Sequence, residues 1–191
     1  FRKANGTLTT IENQKQIEKQ ILEEYINDMK EDQQDIYYAT ASSVAEVMKS
    51  PYMEVFAKKD FEVLVLLDDI DDFLFSAFEY KGKKFKSISK GNVELDKSDK
   101  AVQEKTQKEY GKLIELVKDL LKDHVKDVRF SGRLTDSACC LVADEGDPDP
   151  QMEKLLKAMG QEVPVTKRIL EINPGHPLLA AMNKVFEKNR S

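Results

Sequence analysis

The sequence predicts an α/β (α+β) chain of two small subdomains: a three-layer-like parallel βαβ unit, then a long helix and a mixed or antiparallel sheet with helices. Three observations predict it. Val63–Leu67, reading VLVLL, is apolar without alternation, the pattern of a strand covered on both faces in a parallel sheet sandwiched by helices. Residues 81–100 hold Gly82, Gly91, Asn92 and a run of Lys, a change of composition that marks a boundary, placed near Asp96. Beyond it Tyr110, Leu113, Ile114, Val117, Leu120 and Leu121 recur at spacings of three and four, one apolar stripe along a helix over 98–124.

Element by element, Asn5-Gly6 signals a turn, and Ile17, Ile21, Leu22, Tyr25 and Met29 fall at helical spacing within residues 10–30. Ile36-Tyr37-Tyr38 is a short strand. Ser43 with Glu46 forms a capping-box signature before Val44, Val47 and Met48, and Pro51 ends or bends that helix. Met53, Val55 and Phe56 lead through Lys58-Lys59-Asp60 into a strand over Glu62–Leu67, completing βαβ, and Ile70, Phe73, Leu74 and Phe78 mark another helix. In the second half Val128, Phe130, Gly132 and Leu134 alternate as a half-buried strand. Thr135-Asp136 turns, Ala138–Ala143 continues as a strand, and the pair reads as a hairpin. After the acidic loop Asp144–Pro150, the stripe Met152, Leu155, Leu156 and Met159 defines a short helix ending at Gly160. A strand at Ile169–Ile172 and a helix at Leu178–Phe186 follow.

The 191 residues are 40% hydrophobic and 34% charged, ordinary for a soluble globular chain. The apolar runs fall far short of the roughly 20 residues a membrane span needs. The opening FRKANGTLTT has no initiator Met and no signal-peptide pattern, so a fragment is expected. A net charge of −5 with both signs interspersed argues against a nucleic-acid surface. Cys139 and Cys140 are adjacent and face opposite ways in a strand, which yields neither a disulfide framework nor a zinc site and points to a reducing compartment.

Candidate chemistry is sparse. His124, His176, Ser131, Ser137, Cys139 and Cys140 lack any nucleophile or acid–base motif around them. No Gly-rich phosphate loop occurs. Asp68, Asp69, Asp71 and Asp72, together with Asp144, Glu145, Asp147 and Asp149, supply oxygen ligands in principle. They keep open a metal-dependent hydrolase working at an interdomain cleft, although carboxylates before a helix ordinarily serve as caps. Lys81, Lys83, Lys84, Lys86 and Lys90 around Phe85 read either as a polyanion patch or as solubilising charges along an edge strand. The Met152–Met159 stripe reads either as core or as a surface that repacks against varied partners, a task suited to the flexible thioether.

Several segments carry a resemblance. VKDVRFSGRLTDSACCLVAD from Val125, QMEKLLKAMGQEVP from Gln151 and ILEINPGHPL from Ile169 resemble the C-terminal domain of the ninety-kilodalton heat-shock chaperones in their bacterial, high-temperature protein G form. LEEYINDMK from Leu22, QQDIYYAT at Gln33–Thr40, SPYMEVFAKKDFEVLVLLDDIDDF at Ser50–Phe73 and YKGKKFKSISK at Tyr80–Lys90 resemble the end of that family's middle domain. The resemblance implies that residues 1–96 are the small α/β subdomain closing the middle domain. Residues 97–191 are then a C-terminal domain lacking its final dimerisation helices.

It further implies a non-catalytic client-binding and inter-domain coupling segment without a cofactor of its own. In the full-length chaperone, a cytoplasmic homodimer, ATP and magnesium bind outside this stretch. Partly folded client proteins are the implied partners, with no nucleic acid and no membrane, and the fragment alone is expected to be mainly monomeric. The implied client-binding residues are Asp72, Phe73, Met152, Leu155, Leu156 and Met159. The family often has Trp where this chain has Phe73, which keeps an aromatic contact and forgoes the indole hydrogen bond. A plain adaptor domain is the remaining alternative.

Overall fold

The computed structural model describes residues 11–67, 75, 78–93, 99–148, 153, 156–157, 159–161 and 166–189. Spatially the chain forms two units, residues 1–88 with 150–163 and residues 89–149 with 164–191.

The first unit opens with α1 (Ile11–Asp28) and β1 (Ile36–Thr40), followed by α2 (Val44–Met48), a 3-10 turn at Pro51–Met53 and α3 (Glu54–Lys58). β2 (Leu64–Leu66), β3 (Glu79–Tyr80) and β4 (Lys83–Ser87) complete a sheet of order β2-β1-β4-β3. β1 runs parallel to both neighbours, and β3 pairs antiparallel with β4. The expected parallel sheet is therefore present, but its doubly covered strand is β1. Ile36 and Tyr38 enter a cluster with Tyr25, Leu66 and Phe85, while Tyr37, facing the other way, meets Phe56 at 4.8 Å and Phe61 at 6.1 Å. VLVLL lies at the outer position and its Leu64 and Val65 are only half-buried, so the absence of alternation there does not mean a central strand.

Local signals act as their chemistry requires. Ser43 Oγ accepts from the Glu46 N–H at 3.2 Å, and Glu46 Oε2 accepts from the Ser42 N–H at 3.0 Å, one residue earlier than the usual capping-box return. Lys81 and Gly82 both have positive φ, 50° and 75°, the two-residue turn whose twist matches a tight hairpin. The Lys-rich strand β4 is consequently an inner strand between β1 and β3, not the expected edge. Phe75 is helical and packs on Phe85 at 4.8 Å. Ile70, Phe73 and Leu74 of the expected helix lie outside the described residues.

In the second unit α4 (Asp99–Leu121), β5 (Asp127–Phe130), β6 (Cys139–Val142), β7 (Ile169–Ile172) and α5 (Pro177–Lys188) follow one another in the chain. The sheet order is β5-β7-β6, with β7 parallel to β5 and antiparallel to β6. β5 and β6 do not form the expected hairpin. Sequential strands commonly pair, but here the connection turns inward with Arg133 and Leu134 buried, and both Arg129 and Arg133 reach Glu171 on β7. A buried guanidinium needs a carboxylate, and with β7 in the middle Glu171 supplies one to both arginines.

Leu113 and Ile114 of α4, Val128, Ile172 and Leu179 of α5 form the core on one face of this sheet. Alternation sends Ile169 and Glu171 to the other face. In β6, Cys139 is exposed and Cys140 buried, as alternation requires. His176 caps α5, its Nδ1 accepting from the Leu178 N–H at 3.1 Å, with Pro177 in the first turn.

Candidate functional site

Of the six residues singled out for client contact, Leu156 and Met159 are described; Asp72, Phe73, Met152 and Leu155 lie outside the described residues. The end of their helix is built by backbone chemistry. The Gln161 N–H donates to the Leu156 carbonyl at 3.0 Å and the Gly160 N–H to the Lys157 carbonyl at 3.0 Å. Gly160 sits at φ +77°. This pair of bonds closed by a left-handed Gly is the Schellman motif, and it realises the stop that Gly160 announces in the sequence.

Leu156 and Met159, three residues apart, share a face of that turn. Leu156 is half-buried and Met159 is 66% exposed. The turn thus presents a thioether to solvent beside a partly covered leucine, an arrangement fit for apolar contact and carrying no proton or metal chemistry. The segment 150–163 groups spatially with the first unit.

Two further apolar surfaces escaped the periodicity. Phe78, expected within a helical stripe, is 56% exposed while resting on Phe75 and Phe85 at 6.3 Å each. In the second unit Leu120, expected in the buried stripe of α4, is 67% exposed. It lies on the same helix as Leu116, which with Met182 and Val185 lines an open, mainly apolar cavity of about 1050 Å³ between α4 and α5. A period of 3.6 identifies a stripe but not how much of its width a neighbour covers.

Among the remaining candidates for chemistry, Ser131, Asp144 and Asp147 are engaged within the second unit. Ser131 Oγ donates to Glu171 Oε2 at 2.8 Å and accepts from the N–H groups of Arg133 and Leu134 at 3.2 Å each. Lys126 bridges Asp144 at 2.8 Å and Asp147 at 3.0 Å. Its ammonium holds the Asp144 carboxyl below the ordinary carboxylate value, and the two carboxylates, Asp144 foremost, raise Lys126.

Among the described residues no group of three or more His, Cys, Asp or Glu is placed to hold a metal. Asp68, Asp69, Asp71 and Asp149 lie outside them. With Asp144 and Asp147 bound to Lys126, the hydrolase alternative has no support. Lys81 sits 4.0 Å from Glu23 and over the Tyr80 ring, and Lys83 donates to the Gln33 carbonyl at 3.3 Å, so these ammonium groups serve the first unit internally. No helix among the described residues is long and apolar enough to cross a membrane.

The residue that the sequence reading missed is Glu171, fully buried and shared by two arginines. The available signal was a lone carboxylate inside the apolar strand ILEI.

Comparison with known proteins agrees with the resemblance. A family model described as Hsp90 protein matches residues 7–191. The chaperone protein HtpG of Geobacter sulfurreducens is 46% identical over 176 residues, covering 89% of this chain and 27% of the relative. That of Legionella pneumophila is 47% identical over 171 residues, covering 88% and 27%, and that of Mycobacterium avium 42% identical over 170, covering 87% and 26%. A solved structure, the middle domain of a Plasmodium falciparum heat shock protein, aligns at 34% identity with 35% of this chain and 29% of its own, with a TM-score of 0.33. The chain spans about a quarter of the length of these curated relatives. With almost its whole length matched by the family model, the chain belongs to the Hsp90 protein family.

Proposed function

We propose that this chain is the client-binding and inter-domain coupling segment of an ATP-dependent molecular chaperone. Asp72, Phe73, Met152, Leu155, Leu156 and Met159 form its landing surface for partly folded proteins. The observation that carries this reading is Met159, 66% exposed on the face of the half-buried Leu156 in a turn locked by Gly160, in a chain of the Hsp90 family.

Full burial of a Met or Leu side chain contributes about 1.5–3 kcal/mol before association costs are subtracted. A stripe of this size therefore favours weak, exchangeable contact with many clients over tight capture of one. In this reading the segment itself holds no nucleotide and catalyses nothing. ATP and magnesium act elsewhere in a cytoplasmic homodimer, and the isolated segment is mainly monomeric.

The test is Met159→Ser in this chain, read by titration against a permanently reduced, partly unfolded α-lactalbumin. Affinity should fall while stability stays within about 0.5 kcal/mol, as for an exposed position. A stability loss of roughly 2–5 kcal/mol, typical of a core truncation, or unchanged client affinity, would sink the assignment. A saturable heat on titrating ATP would refute the expectation of no nucleotide site.

A further inference from the structure

The first of the chain's crossings between its units falls between Ile88 and Ser89. Ile88 donates its N–H to the Tyr38 carbonyl at 2.9 Å, within the first unit, whereas the next carbonyl, that of Ser89, accepts from the Ala143 N–H at 3.3 Å in the second. Gly91 returns its own N–H to the Ala143 carbonyl at 3.0 Å, so that Lys90 and Ala143 form an isolated parallel bridge. A two-bond bridge outside any strand lacks the ladder of neighbouring bonds that reinforces a pair within a sheet, and each bond contributes only modestly in net terms.

Side chains reinforce it from beneath. The carbonyl oxygen of Gly91 accepts from Arg129 Nη2 at 2.6 Å and from Arg133 Nη2 at 2.5 Å. Both guanidiniums are held by Glu171: Oε1 accepts from Arg129 Nε and Nη2 at 3.1 and 2.8 Å, and Oε2 accepts from Arg133 Nε at 2.9 Å. Ser131 Oγ fills the remaining position on Oε2 at 2.8 Å.

Arg133 and Glu171 are 0% exposed. One buried carboxylate receives both guanidiniums, and their Nη2 groups converge on the Gly91 carbonyl. Gly91 has φ +58°, a conformation that glycine adopts freely. Just beyond it, Val93 is 2% exposed, and a Cβ placed on Gly132 would collide with the Val93 carbonyl oxygen. Gly132 is therefore required by the close passage of residues 91–93 over this face of the sheet.

We propose that Arg129, Arg133 and Glu171 form a latch that pins residues 89–93, the start of the second unit, to that unit's own sheet. The backbone bridge between Lys90 and Ala143 follows the latch and does not hold without it. A cluster that merely stabilised the sheet would need its ion pairs alone; the two bonds converging on Gly91 serve only the incoming segment.

Residue-resolved hydrogen exchange on the whole 191-residue chain tests this. Arg129→Leu is the decisive variant, because Arg129 is partly exposed and its loss leaves Arg133 and Glu171 as a balanced pair. The amides of Gly91 and Ala143 should exchange at least tenfold faster. The amides of Lys126 and Asn173, bonded to the carbonyls of Arg168 and Ala138 in the same unit, should stay within twofold. Unchanged exchange at Gly91 and Ala143, or equal acceleration at all four positions, would overturn the proposal. Glu171→Gln should produce the same selective pattern more strongly, and if it unfolds the unit instead, Arg129→Leu alone decides.

Discussion

The first unit fastens its polar interior with neutral groups, and the second does so with charge. In the first, the Tyr25 hydroxyl donates to the Glu62 carbonyl at 2.8 Å and accepts from Gln33 Nε2 at 2.8 Å and from the Tyr37 N–H at 2.9 Å, joining α1, the loop before β1 and the approach to β2. Burial pushes the Tyr25 phenol up to about 12 and raises Tyr37 as well. Around this hub lie aromatic contacts such as Tyr37 on Phe56 and Phe75 on Phe85, each at 4.8 Å. Two buried hydroxyl groups here, Thr40 Oγ1 and Tyr80 OH, have no hydrogen-bond partner among the described residues, a deficit that a neutral group survives at moderate cost. In the second unit Glu171 and Arg133 are buried completely and every oxygen of the carboxylate is used. A neutral hub degrades gradually, whereas a buried ionic one fails sharply when a buried charge is left without its counter-ion.

That contrast ranks the expected effects. Glu171→Leu should be the most damaging, costing roughly 3–5 kcal/mol because two guanidiniums remain without their counter-ion; urea unfolding followed by circular dichroism measures it. Replacing Arg129, Arg133 and Glu171 together by apolar residues should cost less than Glu171→Leu alone. A triple variant as unstable as the single would break the contrast.

Tyr25→Phe comes next. It strands the Gln33 amide and the Tyr37 N–H, at about 1–3 kcal/mol, and the loss should appear in exchange from β1 while β7 amides keep their protection. The pH dependence follows from the raised phenol. Its contribution is complete below the ordinary tyrosine value of about 10 and disappears as pH climbs through about 12. Wild type should therefore lose its advantage over Tyr25→Phe across that alkaline window and hold it constant between pH 6 and 9.

Lys126→Ala should have the smallest effect, since Lys126 and Asp144 are substantially exposed. Asp144 is depressed, so its share is present above the ordinary carboxylate value, about 4, and is lost on acidification through its lower folded value. Lys126 is raised, so its share is lost only in strong alkali. The difference in melting temperature between wild type and Lys126→Ala at pH 7 should narrow as pH falls below the ordinary carboxylate value, about 4, and shrink in 1 M salt. A gap unchanged by both acidification and salt would show that Lys126 acts through packing of its stem instead of its charge.

Much of this chain was legible in advance because the signals are local. The strand at Ile169–Ile172, the long helix now bounded at Asp99–Leu121 and the stop at Gly160 each follow from period, propensity or a left-handed glycine within one or two turns of chain. Of the candidate surface, the Met159 end was legible as an apolar stripe, and its exposure was not. The sequence by itself determined the elements, their mixed α/β class and membership of the family, since short-range periodicity and matching segments need no knowledge of neighbours. Tertiary structure alone decided that β7 lies between β5 and β6, that VLVLL is an outer strand, and that Glu171 gathers arginines 38 and 42 residues away onto the carbonyl of Gly91. Those outcomes depend on which distant group neutralises a buried charge or covers a given face, and no window of adjacent residues contains that information.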